Sequence, residues 1–384
     1  APNHARGRHV VVEERLLQLQ AESESFTEIY NAQAEFGIIT SGIPFQYVQE
    51  ALPDYAILKL GMVYPLPMER IRAFASTVKK LYVVEELDPI IETELKAAGV
   101  EIAPLNRSIL GELSTETVST LFGGSVNKSA PTEPLPQRPP NMCAGCSHRG
   151  IFYAINRLKL TVTGDIGCYT LGYMEPLSAV DSCVCMGASV SMAHGFDRGS
   201  GGALAKSAVA VIGDSTFLHT GINGLINSVY NQGASTVIIM DNRITGMTGH
   251  QANPGSGIDI KGNPAPQVDF EVICRAVGVK HVQVVDPFDV DLCMRVLKEE
   301  TARPEVSVII TNRPCIFADK AAIKAPYAIS TTECCGCKAC LRIGCPAISW
   351  READRQAYID PAQCTGCGLC PKVCRFNAIS QRES

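Results

Sequence analysis

Seventeen cysteines stand in 384 residues, and nine of them fall between Cys334 and Cys374. Two runs carry them, Cys334-x2-Cys337-x2-Cys340-x4-Cys345-Pro346 and Cys364-x2-Cys367-x2-Cys370-x3-Cys374. Two-residue gaps let one tight loop wrap three thiolates around a cuboidal iron-sulfur cluster, with a fourth, more distant thiolate completing the ligand set. Zinc is the alternative, because paired C-x2-C units also build tetrahedral sites. It commonly takes two pairs separated by a longer loop, whereas each run here supplies four closely spaced cysteines. Disulfides suit small secreted domains, and a large α/β chain with no export signal points instead to metal or redox chemistry. Cys335 is surplus to the repeated spacing and reads as a bystander thiol.

A second constellation is built from oxygen. Gly213-Asp214-Ser215 is followed, after 26 intervening residues, by Asn242. A carboxylate, an amide oxygen and a nearby main-chain carbonyl are hard ligands suited to Mg2+, which prefers to complete its octahedron with phosphate oxygens. Each piece also has a plain reading, as a turn and as a helix cap. The flanking sequence favours the metal: residues 245–251, with Thr248, Gly249 and His250, and residues 254–257 form a glycine-rich loop that brings backbone N–H groups toward a diphosphate. Residues 164–172, with Gly167 and Cys168, converge on the same edge. Cys185-Met186-Gly187 opens a helix with small residues beside which a flat ring can pack, and residues 217–221 carry His219.

The elements that must position these groups follow from periodicity. A polar helical segment at 1–25 precedes an α/β domain at 26–125, with strands expected at 36–40, 55–59 and 81–84 and helices at 43–52, 67–78 and 90–98. A stiff linker at 126–141 follows, rich in proline at 131, 134, 136, 139 and 140. The second α/β domain, 142–312, has strands expected at 160–163, 208–212, 236–240, 281–285 and 306–311. Its helices are expected at 151–158, 187–194, 221–230, 270–277 and 289–300. Strands alternating with helices imply parallel, doubly wound sheets in both domains. Asp214 and Asn242 then emerge at the carboxyl edge of neighbouring strands, where open α/β sheets bind ligands. A linker at 313–331 leads to a cysteine-dense tail at 332–384, which has few large apolar residues and cannot build much of a core without metal.

The tail resembles the bacterial two-cluster ferredoxins. That resemblance implies crossed ligation, one 4Fe-4S cluster on Cys334, Cys337, Cys340 and Cys374 and the other on Cys345, Cys364, Cys367 and Cys370. The extra residue before Cys345, and Arg375 where a proline often sits, depart from the pattern without removing a ligand. The Asp214–Asn242 spacing is similar to the metal motif of the thiamine diphosphate fold, which implies the carbonyl of Ile244 as third protein ligand to Mg2+. Together with residues 39–42, 60–65, 84–86, 143–149 and 241–243, nearly the whole chain resembles the thiamine-dependent 2-oxoacid:ferredoxin oxidoreductases, most closely the α subunit of their indolepyruvate branch.

The resemblance implies a first domain of the transketolase C-terminal type and oxidative decarboxylation of an aryl pyruvate with CoA. The products are the aryl-acetyl-CoA, CO2 and two reduced ferredoxins. Thiamine diphosphate, Mg2+ and two 4Fe-4S clusters serve the reaction, and a smaller second subunit completes a hetero-oligomer. His219 and His250 are the candidate contacts to substrate or diphosphate. Cys143, Cys146 and Cys168 match three ligands of an extra cluster found near thiamine in some relatives. A fourth cysteine is expected near His281, where there is none, and Cys183, Cys185, Cys274, Cys293 and Cys315 read as small apolar residues. Relatives also bear an N-terminal domain that binds the aminopyrimidine; no such domain fits ahead of residue 26, so the chain reads as a C-terminal portion of a longer protein.

Composition narrows the competing classes. With 46% hydrophobic and 19% charged residues the chain buries a sizeable core, and 34 basic against 39 acidic side chains give a net charge of −5 with no basic concentration for nucleic acid. No apolar run suggests a membrane span, so a cytoplasmic protein in an oxygen-poor setting is expected. A non-catalytic electron-transfer protein would bind iron but no thiamine, and a non-oxidative decarboxylase would leave eight cluster-type cysteines without purpose.

Overall fold

The computed structural model describes residues 2–125, 135, 139–204 and 207–382. Of the linker prolines, Pro131, Pro134 and Pro136 lie outside these residues. The chain divides into two compact units, Ala1–Pro136 and Gln137–Ser384.

The first unit opens with the helix Pro2–Ser23. Val10, Val12 and Leu17 along it are exposed. Its sheet comprises β1 (Thr27–Tyr30), β2 (Phe36–Ser41), β3 (Ala56–Leu60) and β4 (Lys80–Val84), in the order β1-β3-β2-β4. The three strands expected from sequence are parallel, and β1 adds an antiparallel edge. That strand escapes a reading by apolar runs because it is four residues long and mostly open to solvent, with Glu28 and Ile29 both exposed. The helices Pro44–Ala51, Met68–Ala75 and Ile90–Ala97 cover the sheet, and the helix Thr115–Leu121, capped by Ser114, completes the unit.

The second unit is built on six strands, β5 (Thr161–Gly164), β6 (Ser182–Cys183), β7 (Ala208–Gly213), β8 (Thr236–Asp241), β9 (His281–Val285) and β10 (Ser307–Asn312). All pair in parallel, in the order β6-β5-β7-β8-β10-β9. β7 and β8 are buried along their whole length. Their period of two sends Val209, Val211, Ile238 and Met240 into one helical layer and Ala210, Ile212, Val237 and Ile239 into the other. Each fully buried aliphatic side chain contributes roughly 1.5–3 kcal/mol. The sheet edge that presents the site is therefore rigid.

The tail does build a core, by borrowing one. Ile343, Ile348, Ile359, Leu369 and Val373 pack with Phe288 and Val290 of the α/β domain, joined by Tyr153 and Met294. The segment read as a linker at 313–331 contains β11 (Tyr327–Ile329), which pairs with β14 (Ile379–Gln381). Between them the hairpin of β12 (Ile348–Arg351) and β13 (Gln356–Ile359) completes the ferredoxin-like region. Periodicity could not reveal a three-residue strand whose partner lies at the far end of the tail. Among the described residues, no helix is long and apolar enough to cross a membrane.

Candidate cofactor and cluster sites

The chain leaves β5 for the edge strand β6 and returns across it to β7, so strand order reverses between β5 and β7. Parallel sheets bind ligands at such a reversal. A cleft of about 90 Å³ opens there, at the carboxyl ends of β5, β7 and β8. The structure brings Gly167, Cys168, Met186, Gly213, Asp214, Ser215, Asn242, Ile244 and Thr248 together around it. These come from four separate stretches of sequence. Gly187 and Gly249 adjoin lining residues without lining the cleft themselves.

Asp214 is only 2% exposed. Its Oδ1 accepts from the Ser215 amide at 2.7 Å and its Oδ2 from Asn253 Nδ2 at 3.3 Å. Burial, reinforced by the charge of Asp241, pushes its pKa up to about 6 against these bonds. A buried carboxylate with no cationic side chain bonded to it suits a metal ion, which would restore the charge that burial disfavours. Asn242, 7% exposed, lies on the neighbouring strand exit. Its Nδ2 lies 3.3 Å from His148 Nε2, and its Oδ1 accepts from the Ile244 amide at 3.3 Å. Desolvation, then the Arg149 charge, lowers the His148 pKa to about 4, so the ring is neutral and its Nε2 accepts the hydrogen bond donated by the Asn242 amide. Asn242 Oδ1 is thereby turned toward the same side as Ile244. The donor set fits Mg2+.

Glycine is required where an aromatic ring closes the cleft floor. A Cβ on Gly167 or Gly213 would fall 2.3 or 2.5 Å from Tyr169 Cε1. The Tyr169 hydroxyl donates to the Ile166 carbonyl at 2.8 Å, and its ring meets His148 edge-on. Asp165, fully buried, accepts from the amides of Gly187 at 2.8 Å and Ser189 at 3.1 Å, capping the helix Ala188–Gly199 and fixing Met186 at the cleft. His148, Asp165 and Tyr169 are site residues that sequence reasoning missed. A carboxylate at a strand end was a readable signal for Asp165, whereas the other two act only through tertiary contacts.

The two candidate histidines are not brought into the cleft. His219 lies exposed on a turn of π-helix, Phe217–Gly221, and His250 stacks on Phe317 with ring centroids 4.7 Å apart. Cys183 and Cys185 are exposed, against the expectation of burial, while Cys274 and Cys293 are buried in the two helical layers.

The tail cysteines enclose two cavities. One is lined by Cys345, Cys364, Cys367 and Cys370, the other by Cys334, Cys337, Cys340 and Cys374, with exposed Cys335 also on its wall. Residues distant in sequence thus share a cavity in the crossed sense expected from the ferredoxins. Among the described residues, no three His, Cys, Asp or Glu side chains converge to hold a single ion. Thiols that ring a cavity instead suit a cuboidal cluster rather than zinc. Sulfur acceptors are also met in advance: the Gly366 amide donates to Cys364 Sγ at 3.5 Å, and Trp350, whose buried Nε1 has no partner, lines the second cavity. Burial pushes the Cys340 thiol up to about 11 and raises Cys345, Cys367 and Cys370, so these groups ionise only when a metal takes the proton's place.

A third set corrects the sequence reading. Cys143, Cys146 and Cys168 are joined by Cys315, and Cys143 and Cys315 both lie close enough to raise the thiols of Cys146 and Cys168. Cys315 follows β10, and its amide donates to the Asn242 carbonyl at 2.9 Å. A fourth thiol thus lies at the strand exit beside Asn242, whereas the sequence near His281, where one is expected, has none. Cys168 also lines the cofactor cleft, and Cys146 also lines the Cys345–Cys364–Cys367–Cys370 cavity. The three compartments share walls.

Comparison with known proteins agrees with both halves of this geometry. The thiamine pyrophosphate enzyme C-terminal TPP binding domain matches residues 165–311, and the 4Fe-4S binding domain matches residues 357–380. The chain is 35% identical to the indolepyruvate oxidoreductase subunit IorA of Methanothermobacter thermautotrophicus, over 97% of this chain and 64% of that protein. It is 35% identical to the IorA subunit of Archaeoglobus fulgidus over 100% of this chain and 66% of that one. The chain thus spans about two thirds of the length of these relatives. The tail alone is 40% identical over 57 residues to a 7Fe ferredoxin of Hydrogenibacillus schlegelii, covering 14% of this chain and 72% of that protein.

Proposed function

Because the chain belongs to the family of the indolepyruvate oxidoreductase IorA subunits, we propose that it acts in the oxidative decarboxylation of an aryl 2-oxoacid such as indolepyruvate. One oxoacid, one CoA thiol and two oxidised ferredoxins give the aryl-acetyl-CoA, CO2, two reduced ferredoxins and two protons. The observation that carries this reading is the shared wall: Cys168 belongs to the cofactor cleft and to a four-thiol set, and Cys146 of that set borders a tail cavity.

Thiamine diphosphate supplies a carbon nucleophile and an electron sink, and iron-sulfur clusters accept electrons singly. This chain's residues hold and orient them. The Asp214 carboxylate, the Asn242 amide oxygen and the Ile244 carbonyl hold Mg2+, which anchors the diphosphate and makes no bonds to carbon. The loops that carry Gly167 and Thr248, with Gly249 next to it, would cradle the phosphates, Met186 at the cleft, with Gly187 beside it, would border the ring, and His148 would keep the Asn242 oxygen free for the metal. His219 and His250 remain exposed groups for a substrate arriving from solvent.

Two 4Fe-4S clusters occupy the tail cavities, and a third is held by Cys143, Cys146, Cys168 and Cys315. A smaller second subunit and ferredoxin are the partners, in an oxygen-poor cytoplasm. The test is anaerobic dye reduction by this chain with its partner subunit, thiamine diphosphate and Mg2+. Reduction is expected to need CoA and to favour indolepyruvate over pyruvate by about tenfold or more, the scale on which apolar pockets discriminate. Iron-loaded protein that reduces dye with no 2-oxoacid would move the electron-transfer reading ahead, and a preference for pyruvate would refute the aryl assignment.

A further inference from the structure

The largest fully buried side chain in the described residues is a cation. Arg149, in the first turn of the helix His148–Leu158, is 1% exposed. Its Nε donates to the Cys143 carbonyl at 3.0 Å, and its Nη1 donates to the carbonyls of Ile343 at 3.1 Å and Gly344 at 2.6 Å. Its Nη2 donates to Asn141 Oδ1 at 3.2 Å and to the Met142 carbonyl. The fork thus ties the loop that carries Cys143 and Cys146 to the turn immediately before Cys345. Glycine at 344 makes room, since a Cβ there would stand 3.1 Å from Nη1.

Hydrogen bonds satisfy the donors without neutralising the charge. All five acceptors are uncharged, and the arginine ion pairs among the described residues belong to Arg198, Arg275, Arg303 and Arg313. A buried charge without a counter-charge is strongly unfavourable. The groups around the guanidinium that can become anionic are thiols: Cys146, Cys345 and Cys367 share its cavity wall, and Cys143 supplies one of its carbonyl acceptors. Arg149 also lines the cavity of Cys345, Cys364, Cys367 and Cys370. The anion this cation lacks is supplied when those cysteines become cluster ligands.

We propose that Arg149, on the wall that Cys146 shares with this cavity, is a counter-ion of the cluster held by Cys345, Cys364, Cys367 and Cys370, a positioning residue that raises that cluster's reduction potential. Reduction adds one negative charge to the cluster, and a fixed cation in a water-poor setting favours the more negative state. The cluster held by Cys334, Cys337, Cys340 and Cys374 lacks Arg149 on its wall, so the two tail potentials are set apart. This inference rests on the cluster assignment above.

The test uses the iron-loaded chain and its variants Arg149→Gln and Arg149→Lys, with iron content read first and cluster potentials by EPR-monitored redox titration. Absence of iron in the unmodified chain refutes the cluster assignment itself. With clusters present, Arg149→Gln is expected to make the first cluster about tenfold harder to reduce, a fall of about 59 mV for one electron, and to leave the second within twofold. Arg149→Lys keeps the charge and loses the fork, so the first potential is expected to hold within about threefold even where melting temperature falls. Unchanged potentials in Arg149→Gln, or equal shifts in both clusters, overturn the proposal. If the glutamine variant does not fold, the lysine variant decides: a potential that holds supports the counter-ion, and a tenfold fall overturns it.

Discussion

Replacing Asp214 with asparagine is expected to weaken binding of Mg2+ and thiamine diphosphate by roughly 150- to 4,000-fold, with turnover falling in parallel at subsaturating cofactor. The scale is the ~3–5 kcal/mol lost when one partner of a buried charge pair is removed. The cofactor-free chain should respond in the opposite sense. Burial already disfavours the charged carboxylate, raising its pKa to about 6, so at neutral pH the amide removes a cost and the melting temperature is expected to hold or rise. Iron content should not change. Titration calorimetry with the cofactor and thermal unfolding without it separate the two effects. Normal cofactor affinity in Asp214→Asn would remove the metal role from this residue.

Cys345→Ala is expected to eliminate the same cluster as Cys364→Ala, although Cys345 lies in the other cysteine run. Each variant should lose about four irons and the same EPR signal. Cys374→Ala should instead match Cys334→Ala. The structural basis is the cavity walls, which mix the runs in this crossed sense. Ligation by each run on its own would make Cys345→Ala match Cys334→Ala, and that pattern would contradict the assignment. On the proposed route, in which electrons leave through the tail, reductant-driven electron delivery to ferredoxin is expected to collapse in all four variants.

The strands were legible because β7 and β8 are unbroken apolar runs bounded by glycine or polar residues, and strands buried on both faces have no other way to read. Asp214 and Asn242 were legible for a related reason. Each directly follows such a run, so their common edge follows from parallel pairing alone. Cys315 shows what was not. It trails β10, and β10 inserts between β8 and β9 in the sheet, an order that no local pattern specifies. Its approach to Cys168 therefore depends on topology. Arg149 was hidden differently: an arginine in the first turn of a helix reads as solvent-facing, and only the docked turn at Ile343 and Gly344 buries it. The tail's apparent want of a core arose in the same way, since that core is completed by Phe288 and Val290 of the α/β domain, with Tyr153 and Met294 packed against it. His219 and His250, chosen for their chemistry and loop position, had no such geometric constraint, and the fold carries them away from the cleft.

The most direct test of the central claim is cluster reduction by substrate. This chain with its partner subunit, loaded anaerobically with iron, would be mixed with indolepyruvate in the presence and absence of thiamine diphosphate and Mg2+, and the reduced clusters read by low-temperature EPR. The account predicts a reduced-cluster signal that appears only when both the oxoacid and the cofactor are present. Protein that holds clusters and thiamine diphosphate yet shows no reduced cluster with any 2-oxoacid, or shows the same signal without the cofactor, would contradict it.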